Sequence, residues 1–535
     1  MRARVKQWLA ITSLAWSCSL SVFSQRFFPD DPLWIEPRLS IPKPAPFDES
    51  RIGYYFASIF LLPSDDKVSQ ALNINTLGEV PDSDWFTNRI GVRTMSMDEL
   101  IQGPNRGSGP DLSRPWRVVQ FKSKGTSPGF VMQDARGDTY FVKFDVRTHP
   151  QLSTSSEVIA TKFYYAFGYN VPENYLVSID PARIELDPEA GKKGEVSRRE
   201  LEGILEEAAR LEDGKLQALA SLQVEGQPLG LFLYSGTRPD DPNDVLPHEN
   251  RRELRGLRVL ASWLNDNDAR ALNTLDVYVN ENGRQIVKHY LIDFGHCFGS
   301  GTYRPKTPAS GHEYGLEWGP LLKSATTLGI WERSWQDVEF SDYPVSGHFE
   351  AEHFDPPKWK TTHPNPAFKQ MLPADGFWAS KIVARFSNEM IRALVRTGRI
   401  AQPEDENHLA ETLIRRRDKI LHYYFAQVNP LDDFRVLGSS LQFRNLGEEA
   451  GLGRADRYHY EWFVLDNERS LSTPLDREGS VRGLSIPLPH LDAPYTMVRL
   501  RTHTQSRPLQ EGWAKAVDVY IRNQGAKKVI GIERQ

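Results

Sequence analysis

The order of hydrophobic patterns along this chain predicts an α+β protein. Three observations carry that expectation. Residues 116–236 are dominated by strand-like runs, residues 237–428 by apolar positions at three- and four-residue steps, and residues 429–535 by short alternating runs again. A leader at 1–24 and an irregular stretch at 25–115 precede them. The length of 535 residues suits several domains at roughly 100 to 200 residues each. Hydrophobic residues make up 39% and charged residues 25%, and the mean hydropathy is -0.50. Those values exclude a multi-span membrane protein and a disordered chain. Lys and Arg total 65 against 70 for Asp and Glu, a net charge of -5 with no long basic run. Nucleic acid is therefore not expected as a partner.

The leader reads as an export signal. Arg2, Arg4 and Lys6 make its positive start, and residues 8–20 form an apolar stretch too short to span a bilayer comfortably. The small residues Val22 and Ser24 place the mature start at Gln25, so the protein is expected in the periplasm or outside the cell. A rival cleavage makes Cys18 a lipidated first residue, the one route by which a membrane enters; the bulky Trp16 beside that cut argues against it. Cys297 is the only other cysteine. One mature thiol forms no internal disulfide, so stability must come from packing.

Residues 25–115 are Pro-rich in places, as at 41–47, and are expected to wrap the rest of the chain. Strands follow at 116–121, 130–133 and 139–145, with Arg136-Gly137-Asp138 as the turn before the third. A helix should open at Thr154, whose hydroxyl can form a capping box with Glu157, and end at Gly168. A polar insert at 180–213 holds a charged helix near 198–210, and 218–234 returns to strand. Leu254, Leu257, Leu260, Ala261 and Leu264 mark an amphipathic helix over 249–264. Two more helices are expected at 378–397 and 404–427. Tyr458, Tyr460, Trp462 and Val464 then alternate with their neighbours, and similar runs recur at 495–502 and 517–522. They predict a separate β-sandwich over 429–535.

The chemistry concentrates around residues 263–295. Thr274 to Val279 and Gln285 to Ile292 are β runs separated by Glu281-Asn282-Gly283-Arg284, and Asn-Gly is a strong two-residue hairpin signal. If Glu281 pairs with Arg284, the ladder places Asn273 opposite Ile292, and Asn273 and Asp293 meet at one end of the hairpin. An amide oxygen and a carboxylate converging there are hard ligands suited to Mg²⁺ that keeps waters and binds substrate phosphates. Asp268, five residues before Asn273, is placed to orient or deprotonate a hydroxyl beside that metal.

The order Asp268-x-x-x-x-Asn273, hairpin, Asp293-Phe294-Gly295 resembles the catalytic loop and metal-binding turn of the protein-kinase-like superfamily. Tyr140-Phe141-Val142-Lys143-Phe144-Asp145 is similar to the kinase strand bearing the phosphate-pairing lysine, with Glu157 as the partner of Lys143. Lys122-Ser123-Lys124-Gly125-Thr126-Ser127-Pro128-Gly129 looks like the glycine-rich phosphate cover. Residues 231–236 would then be the hinge against the adenine. The nearest variants are the compact HipA-type and phosphatidylinositol-kinase-like bacterial members. The likeness covers about 116–425 and rests on the order of motifs that are individually weak. It implies a bilobal protein-kinase-like fold, with an N-lobe at 116–236 and a C-lobe at 237–428, that uses ATP and Mg²⁺. Asn267 stands before Asp268 where a His-Arg pair is usual, so the loop lacks its ordinary braces and Asp266 is a rival base. Ala-Pro-Glu is missing downstream.

Blander readings stand beside these. Glu157 could serve only the capping box with Thr154. Lys143, flanked by Phe141, Val142 and Phe144, suggests a strand buried on both faces, where an unpaired lysine is costly. His289, His296 and His312 lack metal-ligand spacing, Cys297 lacks a defined base, and no Gly-x-Ser-x-Gly elbow exists. The aromatic C-terminal strands could stack sugar rings, but alternating Tyr and Trp are more often core. The function expected is an exported kinase-like phosphotransferase moving the γ-phosphoryl of ATP to a hydroxyl on a protein, lipid or sugar. The alternatives are a non-catalytic envelope scaffold on the same fold and an AMP-transferring enzyme.

Overall fold

The computed structural model describes residues 25–47, 68–122, 127–193, 196–314, 335, 345–504 and 508–535. The expected leader with Cys18, and Ser123, Lys124, Gly125 and Thr126, lie outside them. Among the described residues the chain is a mixed α+β protein with four sheets and ten α-helices, none of them long and apolar enough to cross a membrane.

Between residues 25 and 115 the described chain holds one short helix, α1 (Met97–Gln102), closed by a capping box between Ser96 and Glu99. The remainder runs extended over other elements. Ile41 N–H donates to Gln285 O, Phe47 N–H donates to Leu229 O, and Thr76 O accepts from Ile532 N–H. Trp85, Phe86 and Ile90 enter the main hydrophobic cluster, while Phe27 packs with Leu465, Met497 and Tyr520 near the far end of the chain. Lacking its own core, this segment gains stability by covering the apolar faces of others.

A six-stranded sheet comes next, built from β1 (Trp116–Phe121), β2 (Gly129–Gln133), β3 (Thr139–Phe144), β4 (Asn174–Ile179), β5 (Ile184–Leu186) and β6 (Leu216–Leu222). Its order is β4-β6-β3-β2-β1-β5, antiparallel except where β1 meets β5. Tyr140, Val142 and Phe144 of β3 point into a core with Trp116, Phe130 and Ala218. The opposite face of β3 is open: Phe141 is 44% exposed. The strand is thus buried on one face, not two, and Lys143 belongs to the open one.

Helix α2 (Ser153–Phe167) is buried along almost its whole length, as its small and apolar residues on every side require. Val158 packs on Leu176 and Leu219 of the sheet, whereas Ile159, Phe163 and Phe167 join the helical core. The expected Thr154–Glu157 capping box does not form. Asp145, just beyond β3, accepts from the N–H groups of Gln151, Ser153 and Thr154 and from the Thr154 hydroxyl. A carboxylate there satisfies orphan donors and favours the positive helix end, which leaves Glu157 available elsewhere. The insert carries α3 (Pro188–Lys192) and α4 (Arg198–Glu207).

Strand β7 (Gln227–Gly230) leaves the first sheet and pairs with β8 (Thr274–Glu281), which pairs with β9 (Arg284–Leu291). Residues 223–226 make the crossing between sheets, upstream of the 231–236 segment expected as a hinge. Helix α5 (Arg252–Leu264) begins later than 249, because His248–Asn250 form a 3₁₀ turn. The helical region continues with α6 (Pro366–Lys369), α7 (Pro373–Val383), α8 (Asn388–Arg396) and α9 (Pro403–Gln427). The single helix expected over 378–397 is broken. Ser387 accepts from Met390 N–H and starts a new helix, a local competition in which serine side chains displace the helical ladder.

The last region holds β10 (Leu431–Leu437), β11 (Ser440–Asn445), α10 (Leu446–Glu449), β12 (Arg457–Asp466), β13 (Leu471–Val481), β14 (Ser485–Pro487), β15 (Tyr495–His503), β16 (Val517–Arg522) and β17 (Lys528–Arg534). They form sheets of order β10-β11-β14 and β13-β12-β15-β16-β17. Leu431, Leu441 and Ile486 of the smaller sheet share one cluster with Trp462, Val498 and Val519 of the larger. Tyr458 and Trp462 are buried there, so neither presents a ring to a sugar.

Candidate active site

The hairpin β8–β9 turns at Asn282 and Gly283, both with positive φ, of 54° and 82°, as a two-residue loop matching the strand twist requires. Glu281 pairs with Arg284 and Thr274 with Leu291. Ile292 N–H donates to Asn273 O at 3.0 Å, so Asn273 stands across from Ile292 and beside Asp293. Asp293 takes the left-handed conformation at φ 63°, one that aspartate tolerates better than most residues.

Asp293 meets Lys143. The lysine Nζ donates to Asp293 Oδ1 at 2.7 Å and to Glu157 Oε2 at 2.8 Å. Burial lowers the Lys143 pKa, but Asp293 and then Glu157 outweigh it and hold the ammonium above the ordinary lysine range. The Lys143 charge holds Asp293 below the usual carboxylate range. Burial pushes Glu157 up despite the same lysine, so Asp293 is the carboxylate held ionised. The turn after β9 lies tight against the start of α2: Ser156 Oγ donates to Cys297 O and Ser300 Oγ to Leu152 O, each at 3.0 Å. A Cβ on Gly295 would overlap Ser153 Oγ, so any other residue there would have to displace that hydroxyl.

Lys122, half-buried, sits beside Lys143 with its Nζ 3.5 Å from Ser127 O. Burial, and secondarily the Lys143 charge, lower its pKa to about 8. The two ammonium groups repel each other there, and Asp293 and Glu157 offset part of that repulsion. Gly129 pairs with Lys143 across the strands, and its missing side chain clears the Val142 carbonyl.

Asp268 lies in the loop after α5. Its Oδ1 is 3.0 Å from Arg270 Nε, and its Oδ2 accepts from Asn273 Nδ2 at 3.0 Å and stands 3.3 Å from His296 Nδ1. Burial raises its pKa, but His296, Arg270 and Lys306 prevail and hold it at about 2. The loop does not lack braces. Lys306 Nζ donates to Asn267 Oδ1 and to His296 O, Asn267 Nδ2 donates to Ser310 Oγ, and Thr362 N–H donates to Asn267 O. The rival Asp266 turns into the core, where it accepts from the Tyr164 hydroxyl and burial raises its pKa. Cys297 is buried and its thiol is pushed well up by that burial, which removes it as a nucleophile.

The structure therefore brings Lys143, Glu157 and Asp293 into one cluster and Asp268 with Asn273 into another, joined by the hairpin register. Sequence reasoning missed Arg270 and Lys306, which carry no local signal, and weighed His296 only as a metal ligand. His289 is taken by Asp276 and stacks on Trp85.

No protein-family model matches this sequence, and no curated protein matches it. Among solved structures, the crystal structure of a Helicobacter pylori proinflammatory kinase, CtkA, aligns with 56% of this chain and 95% of its own, at 12% identity and a TM-score of 0.30.

Proposed function

We propose that this protein is an exported, kinase-like phosphotransferase that moves the γ-phosphoryl of ATP to a hydroxyl acceptor. In this reading residues 116–236 and 237–428 act as two lobes and 429–535 is a β-sandwich that serves interaction. The observation that carries it is the position of Lys143, whose ammonium bridges Glu157 of α2 and Asp293 after β9.

The donor set fits magnesium. Asn273 Nδ2 donates to both Asp268 O and Asp268 Oδ2, so the amide oxygen is turned away from them. Asp293 is half-exposed and ionised. Among the described residues no group of three or more His, Cys, Asp or Glu could hold a metal. Two oxygen ligands completed by waters and phosphate oxygens match the way Mg²⁺ binds in nucleotide sites. When bound, the ion neutralises charge on the phosphates.

The chain's own groups supply the rest. Lys143 and Lys122 would hold phosphate oxygens, with Ser127 beside Lys122. Asp268, held at about 2, is a weak base but a fixed acceptor that orients a hydroxyl. In a loose phosphoryl-transfer transition state, orientation and charge stabilisation do most of the work.

A melting shift with ATP that grows with Mg²⁺ tests the reading, together with phosphate transfer followed by mass spectrometry. A chain that shows no nucleotide-dependent shift is a scaffold, and one that adds AMP is a nucleotidyltransferase.

A further inference from the structure

Residues 33–39 of the N-terminal strap alternate the wrong way round for a segment that faces water. Leu33, Ile35 and Leu39 are 59, 70 and 62% exposed, with Pro37 exposed between them, whereas Trp34, Glu36 and Arg38 turn inward. Both inward ions are held. Glu36 accepts from Arg251 Nη1 at 2.8 and 3.0 Å, and Arg38 pairs with Asp84 and Glu281. The backbone is fixed from the same side: Leu39 N–H donates to Asn243 Oδ1 at 2.8 Å, Asn243 Nδ2 donates to Leu39 O at 2.9 Å, and Ile41 is buried against Leu229 and Val287. Ionic partners thus decide which face of the strap lies inside, and the apolar face is left out. At 3.3 Å per residue the outward row is about 20 Å long.

Single exposed leucines are ordinary on any surface, but a continuous row marks a contact. Three side chains and Pro37 present roughly 400 Å² of apolar surface, about half of the 800 Å² per partner that a stable protein complex buries. Side chains this exposed stand out as a ridge, and a fluid hydrocarbon layer admits a ridge without offering a complementary groove. Residues 25–47 balance Arg26, Arg38 and Lys43 against Asp30, Asp31 and Glu36, so no headgroup charge is preferred. Leu33 follows Leu20, the end of the apolar stretch in the expected leader, by 13 residues. That is a reach of at most about 45 Å, so a membrane that takes the leader lies within reach of the row.

We propose that the outward face of residues 33–39 docks this protein on the surface of a lipid bilayer, with Leu33, Ile35 and Leu39 entering the boundary between headgroups and acyl chains. The inference is independent of the phosphotransferase reading. Through Glu36 and Arg38 the strap is tied to Arg251, just before α5, and to Glu281 at the end of β8. Docking there sets how those elements stand on the membrane.

The test uses the full chain carrying Cys18→Ser and Ile35→Cys, labelled at residue 35 with a polarity-sensitive fluorophore; Cys297 is buried and stays unlabelled. Phosphatidylcholine vesicles should shift the emission to the blue, and a quencher carried on the lipid should extinguish it. Added phosphatidylglycerol or raised salt should change neither. Leu33→Ser with Leu39→Ser should raise the lipid needed for half of the shift by about 100-fold, roughly tenfold for each leucine, at an unchanged melting temperature. The same fluorophore at Leu437→Cys, on another exposed leucine, should remain in water. A fluorophore at residue 35 that stays in water with vesicles present overturns the proposal, even where the leader carries the chain onto them. An equal shift at residue 437 overturns it too. A blue shift already present in the dilute, lipid-free chain assigns the row to another segment of this chain, and one that grows with protein concentration assigns it to a second copy; either result also overturns it.

Discussion

Lys143 joins Glu157 and Asp293 through a single ammonium, at 2.8 and 2.7 Å, although Asp293 lies 150 residues further along the chain. Strand, helix and hairpin are tied at that point. Lys143→Met leaves the buried Glu157 carboxylate without its cation, which should cost about 3–5 kcal/mol, read as a lower urea midpoint with an unchanged slope. The Glu157 pKa is already raised in the folded state and should rise further. A raised acid contributes stability at low pH and loses it as pH climbs through its folded value. The deficit of the variant should therefore be larger near pH ~8 than near pH ~5; a pH-independent deficit would count against an ionic role.

Asp293 is half-exposed, and its side chain contributes little to any core. Asp293→Ala should fold yet lose the magnesium-dependent part of the nucleotide melting shift. At nucleotide a hundred times its Kd the native chain gains about 2.7 kcal/mol from binding. Calorimetric scans of the variant with and without Mg²⁺ should superimpose.

The depressed pKa of Asp268, about 2 against an ordinary 3.8, has a stability signature. A carboxylate held below its unfolded value stabilises the fold above that value, and the contribution is lost as pH falls from 3.8 toward about 2. The native chain should lose on the order of 2 kcal/mol more than Asp268→Asn over that interval. Urea titrations at stepped pH measure it, and parallel acid curves for the two proteins would refute the local electrostatics.

Lys122 gives a linkage of the same sign at alkaline pH. Its folded pKa of about 8 lies below the ordinary 10.5, so the folded chain releases that proton first, and stability should rise as pH increases from about 8 to 10.5. Phosphates placed between Lys122 and Lys143 would restore the proton. Nucleotide binding just above pH 8 should take up protons, seen as a binding enthalpy that changes with buffer ionisation, and Lys122→Met should remove the uptake. Lys162, also lowered to about 8 by burial, remains in both proteins and cancels in the comparison.

Local pattern alone determined a good part of this molecule. The Asn282-Gly283 turn placed Asn273 across from Ile292 because a two-residue loop admits one register. The alternation in β3 separates Lys143 from Tyr140, Val142 and Phe144, since strand side chains repeat every two residues, although the apolar run suggested burial of both faces and only the structure opened the one bearing Phe141. The spacing of Asp268 and Asn273 pointed to the loop in which their side chains meet.

Tertiary structure decided what periodicity cannot encode. Asp145, not Thr154, caps α2 because the end of β3 happens to reach it, and that frees Glu157 for Lys143. Ser387 splits a helix that its apolar spacing had joined. Lys306 reaches the Asp268 loop from a segment whose own sequence shows no motif, while Arg270 within that loop and His296 after Gly295 take their roles only from the packing. Hydrophobic period and turn chemistry act over a few residues, whereas the approach of one packed element to another depends on the whole core, and the charge states of Asp268 and Lys122 follow only from that approach.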